Sequence, residues 1–297
     1  MPRGDPFTQF CQQITRTSRT VVADLHLHST ASDGDYTPSH VVALAAAAGL
    51  RAIALTDHDT FGGLATARES AHQFAESRRP EIIAGVEVSA EFEGREVHIL
   101  GLFVNPENPP LKEALARIAE SRFLRFRAFI DHFHSAGTTL DEGRIRAVLA
   151  GTACPGRRHL AGLLVDSGFA RSRFDAFSRF LNPASASVPP KALLPAEEGI
   201  RLIHEAGGIA SLAHPSVEFD YETLRRFDSL GLRALEVDFP SASVGRALEL
   251  RAWAKELSWG ITGGSDCHGG DRTIGLRGVT DGELTALCEV GSSEPDA

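Results

Sequence analysis

Seven short runs of β-branched and other apolar residues recur along the chain, and segments with helical spacing separate most of them. The runs are Val21–Leu27, Ala52–Thr56, Ile82–Val88, Val97–Val104, Ile209–Ala213, Ala234–Val237 and Trp259–Thr262. Strands that alternate with helices favour a mostly parallel sheet, either doubly wound or closed into an α/β barrel. The 297 residues are enough for one large barrel.

Local signals support this alternation and identify one exception to it. Thr37 can cap a helix that starts at Pro38, and Gly49 can end that helix. A further helix is predicted from Pro195 to Gly207–Gly208. Only eight residues separate the third run from the fourth, whereas a parallel crossover needs about a dozen or more. We therefore expect an antiparallel hairpin there, with Gly94 in its turn.

The stretch 105–190 has a different character. Three- and four-residue spacing, as on one face of a long helix, relates Leu111, Leu115, Ile118, Arg122, Phe126, Phe129 and Phe133. Eight of the seventeen Phe residues lie in this stretch, which has no clear strand. We predict a helical insertion whose Phe residues form a small core rather than stack on a ligand. The predicted organisation is an N-terminal extension (1–20), a barrel (21–104 and 191–290), the insertion, and a tail (291–297).

Charge and composition narrow the classes of partner. The formal net charge is −9, which argues against broad binding of duplex nucleic acid. This charge is uneven: the insertion holds 12 Lys and Arg against 8 Asp and Glu, so the rest of the chain is strongly acidic. No two of the four cysteines form a CxxC pair, and no apolar run is long enough to cross a membrane. We expect a cytoplasmic protein without disulfides or a secretory signal.

Residues that can bind metal follow or lie within the predicted strands. They are His26, His28, Asp33, His58, Glu87, His98, His214, Asp266 and His268. His26 and His28 project to one face because side chains alternate along a strand, and active sites of barrels form at the carboxyl ends of the strands. Nitrogen and oxygen ligands without thiolate suit zinc, manganese or iron. Nine ligands are too many for one ion and enough for two or three.

The order of these motifs resembles the PHP (polymerase and histidinol phosphatase) superfamily. The motifs are DLHLHSTASDG, TDHD, GVE, the isolated His98, AHP and GSDCHG. The resemblance implies a distorted seven-stranded β/α barrel that holds up to three divalent metals. By motif, the first metal takes His26, His28, Glu87 and Asp266. The second shares Glu87 and adds His98 and His214, and the third takes Asp33, His58 and His268.

The insertion resembles one branch of this superfamily. GRRHLA, from Gly156 to Ala161, is similar to a GRPHLA motif found in the branch that removes phosphate from 3′,5′-nucleoside bisphosphates and trims short RNA from its 5′ end. Arg158 replaces the proline of that motif, and Ser185-Ala186-Ser187 stands where an aromatic residue is expected. Arg157, His159 and Lys191 offer donors suited to phosphate.

The resemblance implies hydrolysis of a phosphomonoester on a small nucleotide-like substrate by metal-activated hydroxide. Arg157 and Lys191 would bind phosphate, and His159 would bind phosphate or protonate the leaving oxygen. Asp24 and Asp59 could each orient a ligating imidazole through its other nitrogen, or cap a turn.

Three alternatives stay open at this point. The first is a histidinol-phosphate or other small-molecule phosphatase, and the second is a non-catalytic metal-binding module that supports a nucleic-acid enzyme. The third is a hydrolase of C–N bonds on a similar barrel. The sequence leaves open the metal identity, the preferred base, the degradation of oligonucleotides and the oligomeric state.

Overall fold

A computed structural model describes residues 20–181, 191–270 and 272–292 of the chain. Within these residues, seven strands form one sheet in the order β1-β2-β3-β4-β6-β7-β8, and a two-residue strand β5 pairs only with β3. The strands are β1 (Ala23–Leu27), β2 (Ala52–Leu55), β3 (Glu81–Phe92), β4 (Arg95–Leu102), β5 (Leu194–Pro195), β6 (Ile209–Leu212), β7 (Ala234–Asp238) and β8 (Gly260–Gly263). All seven predicted runs therefore contain or overlap a strand. Most of the predicted N-terminal extension, Ser185–Ser187 and most of the tail lie outside the described residues.

Ten α-helices lie in the described part of the chain. They are α1 (Pro38–Ala47), α2 (Leu64–Ala71), α3 (Pro109–Ser135), α4 (Glu142–Gly151), α5 (Arg157–Asp166), α6 (Arg173–Arg179), α7 (Ala196–Glu205), α8 (Tyr221–Ser229), α9 (Val244–Glu256) and α10 (Asp281–Ser292). The predicted start of α1 is confirmed, because the Thr37 side chain accepts a hydrogen bond from the amide of His40. Among these helices, none combines the length and apolar character needed to cross a membrane.

The predicted hairpin is confirmed between β3 and β4. These strands pair antiparallel from Gly85 opposite Leu102 to Phe92 opposite Arg95. Glu93 and Gly94 form the turn with φ values of 52° and 77°, a conformation that glycine adopts without steric cost. Because β4 also pairs antiparallel with β6, it is the one strand of the barrel path that runs against the others. The mixed α/β barrel expected from the sequence is confirmed in this distorted form.

The barrel is nearly closed at a seam between β1 and β8, the first and last strands of the sheet order. There the pairing is reduced to an isolated parallel bridge between Leu27 and Cys267, with the amide of His28 donating to the carbonyl of Cys267 at 3.2 Å. The other neighbouring strands of the path pair over registers of two to eight residues. The loops that follow β1 and β8 therefore meet with little support from the sheet itself.

Two hydrophobic cores divide the molecule. The larger one fills the space between the sheet and its helices. A separate cluster, which includes Phe126, Phe133, Leu160 and Leu164, joins the second half of α3 to α4, α5 and α6. We call this second unit, from Phe126 to Leu181, the cap. The first half of α3 belongs to the barrel, because its residues Leu111 to Ile118 pack in the larger core.

Candidate metal centre

The structure brings all nine predicted ligands together at one end of the barrel. His26 lies in β1, Glu87 in β3 and His98 in β4, whereas the remaining six residues lie in the connections that follow the strands. We call these nine residues the ligand cluster. Their side chains are mostly removed from solvent, with His26, His28 and Glu87 at most 1% exposed. The carboxyl ends of the parallel strands converge at this end of the barrel, as the sequence predicts.

Glu87 lies at the centre of the ligand cluster. Its Oε1 lies 2.8 Å from Nδ1 of His98 and 3.0 Å from Nε2 of His214. Its Oε2 lies within 2.9–3.3 Å of ring nitrogens of His58, His28 and His26. A single carboxylate therefore contacts five imidazoles, an arrangement of donors that fits divalent cations.

Two further carboxylates complete the ligand cluster. Asp266 places Oδ1 3.5 Å from Nε2 of His26 and 3.3 Å from Nε2 of His28. Asp33 places Oδ1 3.3 Å from Nε2 of His268. The other oxygen of Asp266 pairs with Arg272, which leaves Oδ1 directed at the imidazoles.

The ligand cluster divides into four overlapping groups, in each of which the ligand atoms lie within 4.8 Å of one another. The groups are His28, Asp33, His58 and His268; His26, Glu87 and His214; His26, His28 and Asp266; and His58, Glu87 and His98. Several of these atoms are buried and make no well-directed hydrogen bond to a described residue, among them Nε2 of His26, both ring nitrogens of His28 and Oε2 of Glu87. Because unsatisfied buried polar atoms are costly, this donor set fits divalent cations.

The electrostatics of the ligand cluster reflect strong mutual attraction. Burial alone would raise the pKa of Glu87, but the imidazoles of His58, His98 and His26 hold that pKa well below its usual range. Burial lowers the pKa of His58 to about 4. Burial acts in the same direction on His98, yet the neighbouring Glu87 and Glu96 raise its pKa to about 9. The carboxylates therefore stay ionised, which is the state that binds a cation.

A buried glutamate that the sequence argument did not single out supports this centre. Glu236 lies in β7, is fully buried, and places Oε1 3.1 Å from Nδ1 of His26. Its Oε2 accepts the backbone amide of His214 at 2.6 Å. The contact between Glu236 and Nδ1 of His26 favours the tautomer with the proton on Nδ1, which leaves Nε2 of His26 for a metal. In the sequence, Glu236 could have been identified as a candidate because it is an acidic residue inside the apolar run Ala234–Val237.

Asp24 and Asp59 act differently from the prediction that they orient imidazoles. Asp24 accepts backbone amides of Ser265 and Gly275, both at 2.9 Å, so it fixes loops rather than a ring. Asp59 accepts from Ser89 and forms an ion pair with Arg122 at 2.7 Å. Among the described residues, neither carboxylate forms a hydrogen bond with an imidazole, because Asp24 is directed at backbone amides and Asp59 at Ser89 and Arg122.

A pocket connects the ligand cluster to the cap. Its wall combines three ligand candidates with cationic and aromatic side chains: Asp33, His58, His98, Arg122, Arg125, Arg157, Lys191, Phe126, Phe129 and Phe177. Arg122 is held by Asp59 and by the hydroxyl of Ser89. In the sequence, Arg122 lies on the apolar face of α3. A charged residue on such a face is the signal that could have identified Arg122 as a functional candidate.

The predicted phosphate-binding residues occupy different positions. Arg157 lines the pocket, its guanidinium 6.0 Å from the centre of the Phe177 ring, and forms no ion pair with a described residue. Lys191 also lines the pocket and pairs with Glu96, which contacts Nε2 of His98 at 3.1 Å. The Nδ1 of His159 accepts the amide of Gly156 at 3.1 Å, and its ring lines a different cavity on the other side of α5.

Comparison with known proteins places these features in context. The PHP domain family matches residues 24–165. The chain is 33% identical over 261 residues to the 5′-3′ exoribonuclease Rnm of Escherichia coli, covering 86% of this chain and 88% of that protein. It is 32% identical to the 3′,5′-nucleoside bisphosphate phosphatase of Chromobacterium violaceum, covering 85% and 90% of the two chains.

Two further relatives extend this comparison. The chain is 32% identical to the phosphoribosyl 1,2-cyclic phosphate 1,2-diphosphodiesterase of Eggerthella lenta, covering 84% of this chain and 95% of that one. Among solved structures, a protein from Bifidobacterium adolescentis described as a metal-dependent phosphoesterase superimposes with a TM-score of 0.82 at 26% identity. That superposition covers 92% of this chain and 97% of the other.

Proposed function

The chain belongs to the PHP domain family and is a metal-dependent phosphoesterase, and from this premise we propose that it hydrolyses a phosphomonoester of a nucleotide-like substrate. The proposed substrate class is a 3′,5′-nucleoside bisphosphate or the 5′ end of a short RNA. The observation that carries the proposal is the pocket in which Asp33, His58 and His98 of the ligand cluster share a wall with cationic and aromatic side chains.

We assign the metal sites as the family motifs imply. The first site takes His26, His28, Glu87 and Asp266, the second takes Glu87, His98 and His214, and the third takes Asp33, His58 and His268. Each set overlaps a group of ligand atoms that lie within 4.8 Å of one another. Two or three divalent ions of manganese, zinc or iron are proposed, since the donors are imidazole and carboxylate alone.

Bound divalent ions would supply Lewis-acid stabilisation of the phosphoryl oxygens and a water of lowered pKa. The chain itself supplies the positioning. Arg157 presents to the pocket a guanidinium that has no acidic partner among the described residues, which suits bidentate binding of a phosphate. Lys191 adds a second positive charge, and Glu96 holds that lysine beside His98.

Two features favour a nucleotide over a simple phosphate ester. Burial lowers the pKa of Arg125, and the nearby positive charge of Arg157 lowers that pKa further. Such a pair of like charges is stabilised by a ligand that brings additional negative charge, such as a second phosphate. Phe177 is partly exposed at the pocket wall and provides an apolar face suited to a nucleobase.

Both roles proposed for His159, binding of phosphate and protonation of the leaving oxygen, stay predictions. Its Nδ1 is used at the start of α5, so only Nε2 is available for substrate. Burial lowers the pKa of His159, and a neutral imidazole would have to gain its proton from solvent before donating it.

A second candidate substrate class follows from one of the relatives. The similarity to the Eggerthella lenta phosphodiesterase favours a ribosyl cyclic phosphate, which carries the phosphate as a diester. A cyclic phosphate diester carries less negative charge than a bisphosphate. It therefore needs fewer cationic side chains in addition to the metals. The five cationic side chains that line the pocket therefore favour the bisphosphate or 5′-phosphorylated RNA.

The test is phosphate release from a matched set of substrates, with and without chelator. The set contains a 3′,5′-nucleoside bisphosphate, the 5′-monophosphate of the same nucleoside, a 5′-phosphorylated trinucleotide, a ribosyl 1,2-cyclic phosphate and histidinol phosphate. We expect chelation to abolish activity and Mn²⁺ or Zn²⁺ to restore it. We also expect kcat/KM for the bisphosphate to exceed that for the monophosphate by about tenfold or more, the contribution of one charge-assisted contact.

Arg157→Ala should remove most of this preference, whereas Arg146→Ala, an exposed residue of α4, serves as the matched control. Equal kcat/KM values for bisphosphate and monophosphate would overturn the substrate class and leave the phosphoesterase assignment intact. Activity that persists after complete metal removal would overturn the metal mechanism.

A further inference from the structure

The contact between the cap and the barrel seam depends on Arg158, the residue that replaces the proline of the family motif. Arg158 lies in the first turn of α5, where its side chain is only 18% exposed. It extends away from the cap core toward the loops that follow β1 and β8. Those two loops carry Asp33 and His268, which belong to the same group of candidate ligands.

The guanidinium of Arg158 makes three hydrogen bonds across the seam. Its Nε donates to the carbonyl oxygen of Asp33 at 3.0 Å, and its Nη2 donates to the carbonyl oxygen of His268 at 3.1 Å. The same Nη2 lies 2.8 Å from Oδ2 of Asp35. Arginine suits this place because its planar group carries several donors in a fixed geometry, whereas proline carries none.

A second arginine from the cap reinforces the contact. Arg173 of α6 donates to both carboxylate oxygens of Asp35, at 2.7 Å and 2.6 Å. The backbone amide of Asp35 in turn donates to the carbonyl oxygen of His268 at 2.7 Å. Asp35 thus connects two cap helices to the loops on both sides of the seam. We call Arg158, Asp35 and Arg173 the seam clamp.

We propose that Arg158 is a positioning residue, which fixes the spacing of Asp33 and His268 and thereby sets the metal affinity of the site that they form with His58. The carbonyl groups that it holds belong to the two ligand residues themselves, whose side chains lie 3.3 Å apart. The sheet gives little support here, because the described residues show only an isolated bridge at the seam, between Leu27 of β1 and Cys267 in the loop that follows β8. This inference rests on the metal-binding role given to these residues under the proposed function.

The seam clamp also couples the metal site to the cap. Arg157, the proposed phosphate ligand, is adjacent to Arg158 in the first turn of α5, so a shift of one displaces the other. Coupling between two sites is reciprocal. Metal at the Asp33–His58–His268 site should therefore stabilise α5, and loss of Arg158 should remove that effect.

The experiment measures metal binding by the full chain without reference to catalysis. Metal-free protein is titrated with Mn²⁺ and with Zn²⁺ against a fluorescent chelator, and bound metal is counted after dialysis. We expect Arg158→Ala and Arg158→Pro to weaken the weakest-bound equivalent by about 10- to 100-fold, the range for residues that support metal ligands. Arg158→Lys and Asp35→Asn should give smaller losses, which keeps the test valid if one variant folds poorly.

The matched control is Arg144→Ala, which removes a cap arginine that pairs with Asp166 and contacts neither ligand loop. A second readout is hydrogen exchange of the α5 amides, which metal should slow in the wild type and leave unchanged in Arg158→Ala. Metal affinities of Arg158→Ala equal to those of Arg144→Ala overturn the inference alone. A wild-type protein that binds no metal overturns the proposed function together with it.

Discussion

The ligand cluster and the cap obtain their functional residues in opposite ways. In the ligand cluster, the side chains come from strands or from the residues directly after them, and the backbone of the barrel dictates where they point. In the cap, Arg157 and Phe177 come from short helices whose position depends on a separate core and on contacts with the barrel. Under the proposed function, the metal chemistry depends on side chains placed by the barrel strands, whereas substrate recognition depends on side chains placed by a separate core.

The largest expected effect comes from the centre of the ligand cluster. Glu87→Gln keeps the shape of the side chain and removes the charge that contacts five imidazoles. We expect phosphate release to fall by more than about 100-fold, beyond the range for residues that only support a ligand. Glu81→Gln, an exposed position in the same strand, is the control. Metal content and kcat/KM that match the control would contradict the central place of Glu87.

A core substitution in the cap tests whether the two cores are independent. Leu164 is fully buried in the cap core. Leu164→Ala should lower the free energy of unfolding of the cap by about 2–5 kcal/mol, because a cavity replaces buried methyl groups. Local hydrogen exchange would show faster exchange in α4, α5 and α6, with exchange in β2 and β3 unchanged. Uniform loss of protection across the whole chain would show that the cap and the barrel unfold as one unit.

Glu236→Gln tests a residue that supports the proposed metal ligand His26 without binding metal itself. The amide keeps the size of the side chain but weakens the contact with Nδ1 of His26 and the acceptor for the His214 amide. We expect metal affinity to fall by about 10-fold, at the lower end of the range for such supporting residues, with unchanged circular dichroism. Glu249→Gln, on the solvent side of α9, provides the comparison. An affinity equal to that of Glu249→Gln would show that His26 needs no partner.

The smallest expected effect is a pH dependence of stability far from the centre. Glu283 accepts from Thr280 and pairs with Arg251, and despite partial burial these contacts lower its pKa to about 2. A carboxylate with a lowered pKa contributes stability above its unfolded pKa of about 4.3 and loses it as the pH falls toward 2.

The matching variant is Glu283→Gln. It should lower the free energy of unfolding by about 1 kcal/mol at pH 7, a value reduced for solvent screening. The difference from wild type should shrink below about pH 4, as measured by urea unfolding across the pH range. A difference that stays constant from pH 7 to pH 3 would contradict the assignment.

Much of the barrel could be predicted from local sequence signals. Each run of apolar residues formed a strand, and the short β3–β4 connection formed the hairpin with Gly94 in its turn. The ligand cluster was predictable for the same reason, since a residue at a strand end has a known direction once the strands are neighbours. The long helix α3 also followed from its spacing, although its first half packs in the barrel core.

Residues whose role depends on contacts over long sequence separations escaped this reasoning. Glu236 reaches His26 across 210 residues of chain, and Arg122 reaches Asp59 across 63. Asp24 and Asp59 were expected either to orient imidazoles or to cap turns, and in the structure Asp24 accepts loop amides while Asp59 pairs with Arg122. Nothing in the local sequence specifies which of several buried carboxylates lies beside a particular ring.

The sequence by itself therefore determined the strand–helix alternation, the nine candidate ligand residues and the family, because periodicity and residue type act locally along the chain. Only the tertiary structure decided how the barrel seam is held. In the sequence, Arg158 is a departure from a family motif. Its contacts and its proposed role follow from the loops after β1 and β8, which meet beside α5. Hydrogen-bond geometry, which no single segment contains, gives that residue its partners.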